Sequence, residues 1–208
     1  MNIEELKLRA AGGDAEAQFE LGKAYECGRD VVVNLWESVK WYRLAAEHGV
    51  VDAQYNLGVC YYEGIGVEED MEEAVKWWRL AAEQGYAFAQ LCLGYAYKCG
   101  EGVEQNFEEA VKWWRLAAEQ GNADAQLILG VSYKNGCGVE KDVEEAVKWW
   151  RLAAEQGNDK AQYYLGVCYY KGTGVEEDLE EAVKWYRLAA EKGNEDAKEA
   201  LKDLQNGK

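Results

Sequence analysis

The stretch VKWWRLAAEQG, Val75 to Gly85, decides the fold of this chain, because it recurs letter for letter at Val111 to Gly121 and at Val147 to Gly157. The copies stand in register at a period of 36 residues with no insertion or deletion. The period runs outward in both directions: Ala45, Ala81, Ala117, Ala153 and Ala189 obey it, as do Gly13, Gly49, Gly85, Gly121, Gly157 and Gly193. A fixed period of this length is the signature of stacked supersecondary units.

Each unit predicts two helices. In the first, Ala53, Leu57 and Tyr61 fall on one face, and Ala125, Leu129 and Tyr133 repeat the pattern. Gly58 and Gly130 stand beside the leucines. A mid-helix glycine costs about 1 kcal/mol against alanine, so its recurrence predicts a helix-to-helix contact that a side chain would block. The second helix opens at Asp70, Asp142 and Asp178, or Asn34 and Asn106, each followed three residues later by Glu73, Glu145, Glu181, Glu37 or Glu109. That spacing predicts an N-cap with a reciprocal glutamate partner. Met71, Ala74, Val75, Trp78, Ala81 and Ala82 form its apolar stripe, and Gly85 is expected as the C-cap. The glycines of GIGVEED, Gly64 and Gly66, are expected to supply positive φ in the turn between helices.

No helix pair this short hides its apolar face alone, so neighbouring pairs must stack. With no proline and no composition break, the chain reads as one solenoid, residues 1–208. Its repeats are set near 9–44, 45–80, 81–116, 117–152 and 153–188, with a terminal capping helix within 189–205.

The pattern A-Q-x-x-L-G-x-x-Y-x-x-G-x-G-V followed by D-x-x-E-A-V-K-W-W-R-L-A-A-E-Q-G resembles the Sel1-like repeat, a relative of the tetratricopeptide repeat. It is carried by Ala53, Gln54, Leu57, Gly58, Tyr61, Gly64, Gly66 and Val67, and again by Ala161, Gln162, Leu165, Gly166, Tyr169, Gly172, Gly174 and Val175. The first copy departs from it, with Arg29, Asp30 and Val31 in the loop and Trp36 where other copies carry glutamate. The resemblance implies an all-α, right-handed α-solenoid of antiparallel helix pairs that holds other proteins. Cysteine-rich relatives pair a cysteine at the Ala-Ala position with one in the next helix. Ala82 and Gln90 occupy those positions here, so that disulfide ladder is absent.

Turning 100° per residue from the inward face gives the side of the first helix that in this family lines a concave groove. Its rows are Glu16, Phe19, Lys23, Glu26 and Cys27; Asp52, Tyr55, Val59, Tyr62 and Glu63; and Phe88, Leu91, Tyr95, Lys98 and Cys99. Two more follow: Asp124, Leu127, Val131, Lys134 and Asn135, then Lys160, Tyr163, Val167, Tyr170 and Lys171. These positions vary while the core positions repeat, which is what recognition and packing respectively require. Their aromatic and large apolar members, Tyr above all, belong to the types that anchor interfaces. The expected function is non-catalytic binding of a protein or peptide in this groove, with Lys98, Lys134, Lys160 and Lys171 answering acidic groups. The competing reading of Tyr55 and Leu91 is packing against the adjacent repeat.

The formal charge of -16 argues against nucleic acid and anionic membranes, whose binding draws on Lys and Arg. No apolar run of about 18 residues exists, and MNIEELKLRAAGG has no targeting pattern, so a cytoplasmic location is expected. Trp77, Trp113, Trp149 and Trp185 repeat at the structural period and read as packing. Leu80, Leu116, Leu152 and Leu188 turn away from the stripe and predict an apolar row open to self-association. Pairs at i, i+4, Glu72 with Lys76 and Arg79 with Glu83, and likewise Glu144 with Lys148 and Arg151 with Glu155, are expected on a solvated face.

Catalytic tools are missing from the pattern: His48 is the single histidine and lies at a helix end, and the Gly-rich loops lack the lysine of a phosphate cradle. Cys60 and Cys168 occupy a slot that is Ala24, Ala96 and Ser132 elsewhere, as buried free thiols would. No cofactor and no metal are expected. The alternatives are a bacterial immunity or effector-binding protein, suggested by the acidic charge; a hydrolase with an unrecognised site; and a consensus-like or engineered scaffold without a natural partner.

Overall fold

The computed structural model describes residues 2–206. Among them stand twelve helices and no strand. Contacts divide the chain into two compact units between Gln105 and Asn106. The first contains α1 (Ile3–Ala11), α2 (Ala15–Cys27), α3 (Leu35–Glu47), α4 (Val51–Glu63), α5 (Met71–Glu83) and α6 (Ala87–Cys99). The second contains α7 (Phe107–Glu119), α8 (Ala123–Asn135), α9 (Val143–Glu155), α10 (Asp159–Lys171), α11 (Leu179–Glu191) and α12 (Glu195–Gln205). Within each unit every helix packs on the next in sequence.

The expected glycine contact is present. Gly58 of α4 faces Trp78 of α5, and a Cβ built there would meet Trp78 Nε1 at 2.5 Å and the Ala74 carbonyl at 3.1 Å. In the second unit Gly130 meets Trp150 and Gly166 meets Tyr186 in the same way. The stripe Ala74, Val75, Trp78, Ala81 and Ala82 is buried, and so are Ala53, Leu57 and Tyr61 opposite it. Gly64 and Gly66 adopt φ of 67° and 68° as expected. Gly66 also lies so close to the Leu35 carbonyl that no larger residue fits.

Three local expectations are corrected. Asn34, Asp70, Asn106, Asp142 and Asp178 do cap their helices by accepting the N–H three residues on. The reciprocal bond from the glutamate is not made: the Asp70 N–H donates instead to the Tyr61 carbonyl at 2.9 Å, leaving Glu73 to accept from Lys76. The i, i+4 pairs give way to i, i+3 pairs, Lys76 with Glu73 and Lys148 with Glu145. Arg79 and Arg151 donate to the hydroxyls of Tyr97 and Tyr169 at 3.0 and 2.6 Å. The arginine reaches across to the neighbouring helix because the half-buried tyrosine is a less hydrated partner than an exposed glutamate. At the end of α5 the C-cap is Gln84, and Gly85 follows it at φ 90°.

A polar ladder runs through the cores. Gln18, Gln54, Gln90, Gln126 and Gln162 are buried, and each donates Nε2 to the carbonyl of Ala10, Ala46, Ala82, Ala118 or Ala154, at 3.0 to 3.2 Å. The Oε1 atoms of Gln54 and Gln126 accept from the following repeat: Gln84 bonds Gln54 at 2.7 Å and Gln156 bonds Gln126 at 2.8 Å. His48 pairs its Nδ1 with Gln18 Oε1 at 3.0 Å, which gives the single histidine a structural place in this ladder. Position 192 is lysine; Lys192 donates to the Gly157 carbonyl, and Gln162 Oε1 makes no hydrogen bond.

Leu6 and Ala10 of α1 pack on Ala17, Leu21 and Ala24 of α2. At the other end α12, capped by Asn194, packs Ala197 against Ala182, Tyr186 and Ala189. Lys202 stands in α12 where α4, α8 and α10 place Gly58, Gly130 and Gly166.

Candidate functional site

In the first unit, α4, α5 and α6 enclose a cleft of about 470 Å³. Its walls are Tyr55, Val59, Tyr62 and Glu63 from α4, Met71, Val75 and Trp78 from α5, and Cys92, Tyr95, Ala96 and Cys99 from α6, with Glu101 in the turn beyond. The lining is mostly apolar with two carboxylates, the usual chemistry of a recognition pocket. Each first helix ends in a left-handed glycine, Gly64 after α4 and Gly100 after α6. These stops place Glu63 and Cys99 as the last helical residues, and Glu101 just past the second stop.

The structure brings together in this cleft Tyr55, Val59, Tyr62, Glu63, Tyr95 and Cys99 of the expected groove residues. Tyr62 and Tyr95 are 42% and 41% exposed, although Tyr62 also leans on Trp78 at 5.4 Å between ring centroids. Phe88 is 54% exposed and forms an aromatic cluster with Tyr55 and Tyr86, at 6.3 and 6.0 Å. Tyr55 and Leu91 are half-buried, and Lys98 lies over the Tyr95 ring at 6.0 Å. Burial, then the neighbouring Cys92 and Tyr86, raises the Tyr55 hydroxyl above its ordinary range. Phe19 lies elsewhere: it is buried against Tyr42 at 5.7 Å, with Lys23 above its ring.

In the second unit Tyr170 is 39% exposed, and Lys160 and Lys171 are exposed. Leu127 and Tyr163 are half-buried: Leu127 packs beside the cluster containing Trp150, and Tyr163 stands 5.9 Å from Tyr186. Lys134 is exposed, with its Nζ 5.9 Å from the Trp150 ring centroid and 5.7 Å from that of Tyr164. Leu80, Leu116, Leu152 and Leu188 are all exposed on their helices, as the helix angle implies.

Sequence reasoning missed Met71, Val75, Trp78, Cys92, Ala96 and Glu101 as cleft residues. The stripe residues were assigned wholly to packing, yet one edge of Trp78 and Val75 faces the cleft while the rest is buried. Cys92 was legible: its column reads Glu20, Asn56, Cys92, Ile128 and Tyr164, as variable as the groove rows. Tyr86 was masked by its position, where Asn122, Asn158 and Asn194 cap a helix; Tyr86 makes no side-chain cap and joins the aromatic cluster.

All six cysteines are free. Burial pushes the thiols of Cys60 and Cys168 up to about 12 and about 11, and that of Cys92 up to about 11, which leaves them protonated and poorly nucleophilic. Among the described residues no group of three or more His, Cys, Asp or Glu side chains is placed to hold a metal, and no helix is long and apolar enough to cross a membrane.

The family model of the Sel1 repeat matches residues 15–50, 51–86, 87–122, 123–158 and 159–194. A comparison with curated proteins finds no match. Among solved structures, the chain is similar to a protective antigen of uropathogenic Escherichia coli strains displaying an SLR fold, at 42% identity and TM-score 0.94, over 98% of this chain and 44% of that one. It thus spans less than half the length of that relative. A Sel1 repeat protein from Oxalobacter formigenes aligns at 38% identity and TM-score 0.84, over 98% of this chain and 79% of that one. An immunity protein from Pseudomonas aeruginosa aligns at 25% identity and TM-score 0.53, over 88% and 67%. With five matched repeats and the same packing of consecutive helix pairs, this chain belongs to the Sel1 repeat family of all-α solenoids.

Proposed function

We propose that the chain is a non-catalytic scaffold that binds a protein or peptide through the groove side of its first helices. The observation that carries this reading is the cleft lined by half-buried Tyr55 and by Tyr62 and Tyr95, which stay exposed at positions that vary between repeats. A solvated helix face has no physical reason to keep such residues, whereas an interface gains most from them. Phe88, Leu91, Leu127, Tyr163 and Tyr170 extend the apolar contact surface, and Lys98, Lys160 and Lys171 supply charge at its rim. Lys134 is engaged with its own rings and contributes less. Family membership supports the same reading, since Sel1 repeats generally serve as interaction scaffolds.

The test compares the parent protein with a Tyr62→Ala, Tyr95→Ala, Tyr170→Ala variant whose helicity and melting are checked first. Both are used to capture partners from the lysate of the source cell. A partner held by the parent and lost by the variant supports the groove; a partner held equally by both moves the site to the second helices or the turns. A second reading, immunity or effector binding, is supported by the Pseudomonas aeruginosa immunity proteins among the similar structures and by the acidic charge. Its expected outcome is that co-expression protects a cell from a cognate toxin.

A further inference from the structure

Resting on the groove reading above, we infer that the first-unit cleft accepts a cationic side chain, arginine or lysine, of the bound peptide. The argument comes from comparing the cleft with its own counterpart 72 residues on. There Trp150 stands for Trp78, Lys134 for Tyr62 and Tyr164 for Cys92. In that counterpart the chain supplies its own cation: Lys134 Nζ sits 5.9 Å from the Trp150 centroid and 5.7 Å from the Tyr164 centroid. An ammonium held over two aromatic faces is an attractive arrangement that strengthens as water is excluded.

The first-unit cleft keeps Trp78, has Cys92 in place of Tyr164 and gains Tyr55, Tyr62 and Tyr95; the Lys98 ammonium lies 6.0 Å from the Tyr95 ring centroid but does not line the space. None of the residues lining it is lysine or arginine, and a space of about 470 Å³ is open between Tyr62, Trp78 and Tyr95. The carboxylates are distributed the other way. Glu63 and Glu101 line this cleft, whereas the matching positions of the second unit are Asn135 and Thr173. One unit therefore carries a lysine and no carboxylate at these positions, and the other carries two carboxylates and no lysine. An aromatic cleft edged by two carboxylates favours a positive charge over a neutral or negative one, by ring quadrupole and Coulomb attraction together. The volume exceeds one arginine side chain, so an apolar neighbour of that residue in the peptide fits beside it against Val59, Val75 and Met71. The surplus of acidic groups over the whole chain steers such a peptide inward.

The probes are end-capped Gly-Xaa-Leu-Gly peptides with arginine, citrulline or glutamate as Xaa, titrated into the full chain. The readout is the Trp78 indole N–H resonance in a proton–nitrogen correlation spectrum, assigned with Trp78→Phe. The arginine peptide is expected to move this resonance with a dissociation constant about tenfold below that of the citrulline peptide, and the glutamate peptide is expected to bind least. Glu63→Gln with Glu101→Gln, both exposed and cheap to replace, should erase that preference. Tyr62→Lys, which places a lysine where the second unit has Lys134, should put a cation beside Trp78 from within and reduce arginine-peptide binding about tenfold. Equal binding of arginine and citrulline peptides overturns the cationic occupant while leaving an apolar groove standing. A preference unaffected by the two glutamine substitutions overturns it as well. If no peptide moves Trp78, the inference fails, and the groove reading is decided separately by the three-tyrosine variant and its lost partner.

Discussion

Replacing Gly58 by alanine tests the packing logic of the repeat, because two effects of opposite sign meet at one atom. In an isolated helix the change would stabilise by about 1 kcal/mol through propensity. Here the new Cβ would meet Trp78 Nε1 at 2.5 Å and the Ala74 carbonyl at 3.1 Å. Trp78 is only 5% exposed and packs on Tyr62, so the ring can yield only toward the cleft and at the cost of contacts on its buried side. Overpacking of this kind costs about 1–3 kcal/mol, and pushing α4 off α5 also loosens the contacts of Val75 and Leu57. The clash therefore outweighs propensity by up to about 2 kcal/mol. In a chain of this length that corresponds to a fall in Tm of about 4–8 °C. The assay is helicity followed through a thermal melt, with the same substitution made in a Trp78→Leu background. There the obstructing ring is gone, and Gly58→Ala should raise Tm. A rise in the parent background, or a fall of equal size in both, would refute the claim that the indole sets the requirement for glycine.

Asp70→Ala should cost about 1 kcal/mol through loss of the α5 cap, while Glu73→Ala should cost under half of that, since Glu73 makes no bond back to the cap; equal losses in denaturant melts would restore the reciprocal box. Lys192→Gln should return a donor to the orphaned Gln162 Oε1 and stabilise by about 1 kcal/mol, and an unchanged Tm would show that the ladder does not extend there. The Cys60 thiol is held at about 12 by burial, so the folded state keeps its proton where an unfolded thiol, at about 8.5, has lost it. Stability from this group is thus full below about pH 8.5 and is lost as pH rises toward 12. Cys60→Ala, the residue found in that slot at Ala24 and Ala96, should flatten the decline in alkaline melts; an unaltered slope would mean that other groups, such as buried Tyr42, carry it.

The linear pattern alone determined the helix pairs, their Asp and Asn N-caps, and the need for glycine at position 58. These follow from neighbours within one or two turns and from a contact that every repeat spells alike. The period of 36 residues is also a property of the string, and it locates the inward faces without knowledge of how helices lie together. Tertiary structure alone decided where polar groups find partners. Glu73 stands at the spacing for a capping box, yet the Tyr61 carbonyl takes the Asp70 N–H because the preceding helix ends beside it. Arg79 has Glu83 within reach on its own helix and chooses Tyr97 on the next, while Gln54 joins a ladder that spans three helices. The cleft belongs to this second class. Tyr62 and Lys134 occupy the same column, but only the packed structure shows an open space beside one and a cation seated on two rings at the other. Spacing along a helix sets which face a side chain leaves from; the distance to the neighbouring helix sets what it meets.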